Sequence, residues 1–218
     1  MSGHLVRKIV PAQYRQMPWR NGGGVTSEIA VFPEPGDGAT AVAQPFWWRL
    51  SIAAVKESGP FSLFPGYDRT LLMLSGDGME LSFGAEAAPL VVQQPGVPVA
   101  FSGDFPTSCK LLGGAVCDFN IMTMRGRVKS RTQVRDLSFG QSQQVQVAGA
   151  TAFVFVLQGN INVQAAAETS VHTLQAEETL RLDFSTPSAP VWLMLTAATA
   201  VAQALIVELS LADAIDGA

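Results

Sequence analysis

The 218-residue sequence predicts an all-β protein built as two β-barrels in tandem, one over residues 1–125 and the other over 126–218. Three observations carry that reading. Short runs with period-two alternation recur along the chain, no stretch has the spacing of a long amphipathic helix, and one strand–glycine–strand pattern occurs twice.

Composition comes first because it bounds everything else. Hydrophobic residues make up 48% of the chain and charged residues only 15%, against about 25% charged in an average domain. Disorder and long solvated helices are therefore excluded. A chain of this length buries about 70% of its extended surface, so the core needs neither disulfide nor metal. Fourteen Lys and Arg against 18 Asp and Glu leave a net charge of −4, which argues against a nucleic-acid backbone as partner. Cys109 and Cys117 read as reduced thiols. The N-terminal MSGHLVRKIVPAQYRQMPW lacks the apolar core and cleavage site of a secretory signal, so a cytoplasmic location is expected. The uncharged stretch from Ser185 to Val207 is long enough to span a bilayer, but Pro187, Pro190, Thr196, Thr199 and Gln203 interrupt it. It reads as two strands, VWLML and ALIVEL, and no membrane association is expected.

The remaining strand signals are, in the first part, GVTSEIAVF, PFWWRLSIAAV, TLLMLSG, MELSFG, PLVVQQ, VPVAFSG and KLLGGAVCDFNIMT. In the second part they are QVQVA, TAFVFVLQG, INVQA and TLRLDF. The repeated pattern is LLMLSGDGMEL and FVFVLQGNINV, each read as a hairpin turning at Gly76-Asp77-Gly78 or Gly159-Asn160. Their separation of roughly 80 residues assigns one to each barrel. Fifteen of the 20 glycines, 11 of the 13 prolines and 13 of the 18 aromatic residues precede residue 126. Because such residues shape special turns and line apolar pockets, a ligand site is expected in the first barrel, with the second as a plainer support.

Strand–glycine–strand units in a double barrel are similar to the cupin superfamily, whose enzymes usually hold a metal through several histidines. The only histidines here are His4 and His172, and no His-x-His pair exists, so neither a catalytic metal nor another cofactor is expected. The two cysteines stand eight positions apart without histidine neighbours and make no zinc pattern. Gly22-Gly23-Gly24 lacks the Lys-Ser/Thr and helix that a phosphate loop requires.

Polar residues within strands and aromatic loops are the stronger signal. In PFWWRLSIA, alternation puts Trp47, Arg49 and Ser51 on one face. Arg49 must reach water, pair with Glu28 or Asp118, stack on a tryptophan, or meet a ligand. In GPFSLFPGYDRTLLML, the turn residues gather Phe61, Phe64, Tyr67 and Arg69. That grouping is either a carboxylate pocket, with the planar guanidinium as a bidentate anchor, or a surface pair of Arg69 with Asp68 or a Glu above core phenylalanines. In CDFNIMTMR, Asp118, Asn120 and Met122 share a face, and Asn120 opposes strand propensity, which implies a hydrogen-bonding task.

The segments MPWRNGGGVTSEIAVF, WWRLSIA, GPFSLFPGYDR, LSGDGMEL and CDFNIMTMR resemble the HutD/Ves family. The resemblance is densest over the first 125 residues. It implies a bicupin fold without the usual metal ligands, encoded in many bacteria beside histidine-utilisation enzymes. It also implies binding of a small acidic intermediate, urocanate or formylglutamate, that restrains expression of the pathway. Arg69 is the carboxylate anchor the resemblance implies. Family members often carry Lys where this chain has Arg20, and residues 34–45 form a longer linker than is typical.

The expected function is therefore a non-catalytic binder of a small acidic metabolite that modulates histidine utilisation. Its candidate ligand-binding residues are Arg69, Arg49, Asn21, Glu28, Ser51, Phe61, Phe64, Tyr67 and Asn120, with no catalytic and no metal-ligating residue. The alternative is a metal-independent isomerase or lyase using Glu28, Tyr67 or Asp118 as general base. A third reading is a scaffold that meets another protein through edge strands and Trp47 or Trp48, and a homodimer stays open.

Overall fold

The computed structural model describes residues 4–19, 22–34, 45–84, 88–166, 168–185 and 190–212. It is all-β, and strands are numbered below in chain order. The chain divides into two compact units, one spanning Tyr14–Arg127 and the other joining the residues up to Gln13 to those from Val128 onward.

The Tyr14–Arg127 unit contains two antiparallel sheets. The six-stranded sheet runs in the order β2 (Arg15–Pro18), β3 (Gly24–Phe32), β4 (Trp48–Val55), β11 (Val116–Met124), β6 (Tyr67–Ser75) and β9 (Pro98–Ser102). The four-stranded sheet runs β5 (Gly59–Pro60), β10 (Thr107–Leu111), β7 (Met79–Phe83) and β8 (Leu90–Val92). Ala53 and Val55 of β4, Leu71 and Met73 of β6 and Val116 of β11 pack with Met79, Leu81, Val92 and Cys109 from the smaller sheet. Burying each large side chain of this kind contributes roughly 1.5–3 kcal/mol.

Strand alternation then dictates what lies beyond this core. Following the same face along β4 leads from Val55 and Ala53 to Ser51 and Arg49; along β6, from Met73 and Leu71 to Arg69; along β11, from Val116 to Asp118 and Asn120. The inward face is thus apolar at one end, where the second sheet closes it, and polar at the other. Register fixes the neighbours: Asn120 sits between Ser51 and Leu71, and Met122 between Arg49 and Arg69. The two arginines stand two strands apart, so their Cα atoms are about 10 Å apart.

The second unit has a five-stranded sheet in the order β1 (His4–Ile9), β17 (Thr179–Phe184), β14 (Thr151–Gln158), β19 (Val201–Leu211) and β12 (Val128–Ser138). Its four-stranded sheet runs β13 (Ser142–Val147), β18 (Val191–Ala197), β15 (Asn160–Ala165) and β16 (His172–Gln175). The same eight-strand plan therefore occurs twice. β4-β11-β6-β9 corresponds to β12-β19-β14-β17, and β5-β10-β7-β8 to β13-β18-β15-β16. The repeat extends to a bulge: register slips at Leu74 in β6 and at Leu157 in β14, each two residues before a turn glycine, Gly76 or Gly159. Counting from those glycines, the places of Arg69, Asp118 and Asn120 are taken in the second unit by Ala152, Ala204 and Ile206. All three are fully buried in an apolar core.

Two expectations from the sequence need correction. The pairs β6–β7 and β14–β15 are not hairpins, because the two strands of each pair belong to different sheets. The glycine turn carries the chain across from one sheet to the other. Gly76 has φ +113°, and a Cβ there would lie 2.7 Å from the Ala115 carbonyl oxygen and 2.9 Å from Val116 Cα, so the turn runs hard against β11. The run KLLGGAVCDFNIMT is also two strands, β10 and β11, parted at Gly113-Gly114. β1, β2, β5, β12 and β16 are strands that composition did not signal. The expected strands VWLML and ALIVEL form β18 and β19, and no helix among the described residues is long and apolar enough to cross a membrane.

Candidate functional site

A cavity of about 390 Å³ opens at the polar end of the inward face in the Tyr14–Arg127 unit. Its floor is Arg49 and Ser51 from β4, Arg69 from β6, and Asp118 and Asn120 from β11. Two chain segments make the walls, one around Met17–Trp19 and one around Pro60–Phe64. The volume lies near the lower end of small-molecule sites.

The glycine-rich motif builds the first wall. Gly22 adopts φ +73° and its N–H donates to the Trp19 carbonyl at 3.0 Å, while the Trp19 N–H donates to the Gly24 carbonyl at 2.9 Å. A Cβ on Gly24 would stand 2.5 Å from the Ala54 carbonyl oxygen and 3.0 Å from the Trp19 ring, so only glycine lets the indole fold down there. The indole Nε1–H donates to Thr26 Oγ1 at 2.8 Å, and its ring meets Phe61 edge-on at 6.3 Å. The triple glycine thus serves close approach of an aromatic wall. Arg20 and Asn21 of the same motif lie outside the described residues.

The second wall is tied down by backbone bonds from Phe61 N–H to the Thr107 carbonyl and from Phe64 N–H to the Gly103 carbonyl, 2.8 and 3.0 Å. Gly66, at φ +81°, donates to Asp104 Oδ1 at 2.6 Å. That bond, with those from Arg125 and Ser102, pulls the Asp104 carboxyl down to about 2. Arg125 also pairs with Asp68 at 2.8 Å. Asp68 is therefore the partner of Arg125, and the surface pair with Arg69 does not form.

Arg69 is 8% exposed. Its Nη2 donates to Asn120 Oδ1 at 2.8 Å, and its guanidinium lies 4.9 Å from the Phe101 ring centre and 5.5 and 5.7 Å from those of Phe61 and Phe64. Burial lowers its pKa to about 10, with Asp118 opposing and the like charge of Arg49 adding to the fall. Arg49 lies over Phe46 and Phe64, 4.9 and 5.3 Å from their centres, and its Nη2 touches Met122 Sδ at 3.1 Å. Burial lowers the Arg49 pKa too, opposed by Glu28 and reinforced by Arg15. Among the described residues neither guanidinium has a carboxylate within salt-bridge distance, and the Nε of each is buried without a hydrogen-bond partner. Aromatic faces steady both cations, worth roughly 0.5–2 kcal/mol per contact, without neutralising them.

Asn120 links the arginine to an acid. Its carbonyl oxygen accepts from Arg69 and its amide nitrogen donates to Asp118 Oδ1, the one orientation that gives each neighbour the partner it needs. Asp118 is fully buried, and its Oδ2 has no hydrogen-bond partner among the described residues. Burial drives its carboxyl pKa up to about 7, with Arg69 pulling the other way.

Six of the nine sequence candidates line the cavity together: Arg49, Ser51, Phe61, Phe64, Arg69 and Asn120. Glu28 does not. It faces Arg15 across the β2–β3 pair at 2.8 Å, a partner supplied by a strand that composition did not reveal. Tyr67 stands behind the wall; its hydroxyl donates to the Phe46 carbonyl at 2.7 Å, and its ring packs on Phe46 and Phe64. Asp118, weighed in the sequence as a base or as a partner of Arg49, is among the lining residues the candidate set lacked, as are Trp19, Thr26 and Ser62. The i, i+2 spacing of Asp118 and Asn120 was the available signal for the first. Of the two tryptophans considered for protein contact, Trp48 is buried and Trp47 is half-buried beneath Arg127. Among the described residues no three His, Cys, Asp or Glu stand together as metal ligands.

A sequence profile of the HutD family matches residues 11–201. The chain belongs to the HutD family. It is 39% identical over 171 residues to an uncharacterised 21.2 kDa protein in the hutC 3′ region of Pseudomonas putida, covering 78% of this chain and 83% of that one. It is 38% identical over 129 residues to Protein Ves of Citrobacter koseri, covering 57% of this chain and 63% of that protein. HutD of Pseudomonas fluorescens SBW25, solved in a formate condition, superposes with a TM-score of 0.74 at 31% identity, covering 95% and 99% of the two chains. A conserved protein of unknown function from Pseudomonas aeruginosa PAO1 superposes at 0.80 with 34% identity, covering 94% and 99%. The family is thereby linked to the histidine-utilisation locus. A cupin 2 conserved barrel domain protein from Leptotrichia buccalis superposes with a TM-score of 0.55 at 12% identity and shares the fold alone.

Proposed function

We propose that this HutD-family protein is a two-barrel cupin of the cytoplasm whose first barrel binds a small carboxylate, urocanate or formylglutamate, and thereby modulates histidine utilisation without transforming the ligand. One observation carries the reading: two guanidiniums face one aromatic cavity with no carboxylate among the described residues paired to either. An anionic ligand would satisfy both, and the apolar walls strengthen that contact by excluding water. The apolar residues Ala152, Ala204 and Ile206 at the matching places of the second unit support assigning it a structural part.

Calorimetric titration with urocanate and formylglutamate tests the proposal. Binding of at least one is expected, weakened tenfold or more in Arg69→Ala, since a lost charge-assisted contact costs about 1.5–3 kcal/mol. A folded wild-type protein silent toward both would refute the ligand class, and unchanged affinity in Arg69→Ala would remove Arg69 from the site.

Asp118 favours a second reading, a metal-independent isomerase or lyase, because it lines the cavity and its proton affinity near 7 suits a general base. Glu28 and Tyr67 do not line it. Metal-free turnover of either compound, abolished in Asp118→Asn, would favour catalysis over binding.

A further inference from the structure

We infer that the cavity recognises a hydrogen-bond donor together with the carboxylate: Asp118 Oδ2 is the acceptor for an N–H or O–H on the ligand, which makes the occupant a carboxylate carrying an amide, imidazole or hydroxyl donor. The inference rests on the carboxylate site proposed above and adds the group that distinguishes one carboxylate from another.

The geometry is specific. Asp118 lines the cavity and is fully buried, its Oδ1 accepts from Asn120, and among the described residues nothing donates to its buried Oδ2. A buried carboxylate oxygen left empty is costly, and such groups in folded proteins nearly always have a partner. Its described neighbours direct their hydrogen bonds elsewhere. Arg69 of β6 spends Nη2 on Asn120, Arg49 of β4 turns to Met122, and the Cys109 thiol of β10 lies against Met79 Sδ at 3.6 Å. Arg69 touches Asn120 and Asn120 touches Asp118, so anchor and acceptor are separated by a single side-chain amide. One small molecule reaches both.

The site also discriminates. A carboxylate with no donor would meet the ionised Asp118 as a like charge, whereas one with a donor would complete it. Raising the pH ionises Asp118, so the two ligand kinds should respond in opposite directions: donor-bearing ligands bind tighter as pH rises, donorless ones weaker. The charges facing Asp118, Arg69 and Arg49, stay cationic over this range. The Cys109 thiol, pushed up to about 11 chiefly by burial, stays neutral.

The test is calorimetry with two planar acids of matched size, urocanate and 3-(2-furyl)acrylate, whose furan ring has no N–H, from pH 6.5 to 8.5. In the wild type, urocanate should bind at least tenfold tighter at pH 8, and the two pH slopes should differ in sign. In Asp118→Asn, which keeps the volume but turns an NH₂ into the cavity, urocanate should lose tenfold or more while furylacrylate holds or tightens. Equal losses for both acids, or an unaffected urocanate, would overturn the donor subsite while leaving the carboxylate site standing. Failure of both acids to bind the wild type would instead refute the carboxylate reading. The wild-type pH slopes decide the matter even where the variant does not fold, and slopes of the same sign refute it.

Discussion

Substituting Asp118 by Asn should make the protein more stable, and the size of the gain follows from the burial. A carboxyl that ordinarily loses its proton near 3.8 and here loses it near 7 is a case of folded-state pKa raised above the unfolded one. Below about pH 4 both states keep the proton, and Asp118 costs nothing. Between about 4 and 7 the unfolded chain ionises freely while the folded protein retains the proton, so stability falls with rising pH; above about 7 the loss is complete and flat. The full loss is roughly 4 kcal/mol. Asparagine never ionises and escapes it, but leaves Arg69 without its nearest negative charge, so the expected gain at pH 8 is about 2–4 kcal/mol. Urea unfolding of both proteins at pH 4, 5 and 8 measures it as a difference, in which every other titrating group cancels. The gap should be widest at pH 8 and close toward pH 4. A variant less stable than the wild type at pH 8, or a gap that does not change with pH, would refute the reasoning.

Three further outcomes are expected. Gly24→Ala should drive its Cβ against the Ala54 carbonyl and the Trp19 ring, costing about 1–3 kcal/mol, lowering the melting temperature and shifting Trp19 fluorescence as the wall opens; unchanged fluorescence and melting would show that the indole does not need the glycine. Arg125→Ala should return the Asp104 carboxyl toward its ordinary range and loosen the wall that Asp104 holds through Gly66, read as faster amide exchange at Gly66 and Phe64; unaltered protection would count against that anchor. Glu28→Gln should leave urocanate affinity within about twofold, because the carboxylate faces Arg15 and does not line the cavity; a tenfold loss would place Glu28 back in the site.

Local chemistry was legible where local chemistry decides. The all-β class, most strands and the alternation that puts Arg49 with Ser51 or Asp118 with Asn120 follow from period two alone. What required the structure was partnership across distance. LLMLSGDGMEL reads the same whether its glycines fold a hairpin or pass the chain to a second sheet, because both need positive φ. β12, with VKSRTQVRDLS, is a long strand whose charges hide it from a hydrophobicity pattern. Arg49 and Arg69 meet one cavity only because β11 lies between β4 and β6, a register no spacing in the sequence encodes. Arg69 could be read equally as a surface ion pair until Arg125, 57 residues from Asp68, was seen to take that carboxylate.

The polar floor of the cavity stands on three strands in the middle of a sheet, each hydrogen-bonded on both sides, whereas its walls belong to a short edge strand with its turn and to an irregular loop. Fixed and adjustable parts are thereby separated. Changes at Trp19 or Ser62 can reshape the space around a ligand without moving the groups that would grip its charge. Relatives that share the floor and differ in the walls should accept different molecules by a common handle, and exchanging the two wall segments between them is the direct route to exchanging their preferences.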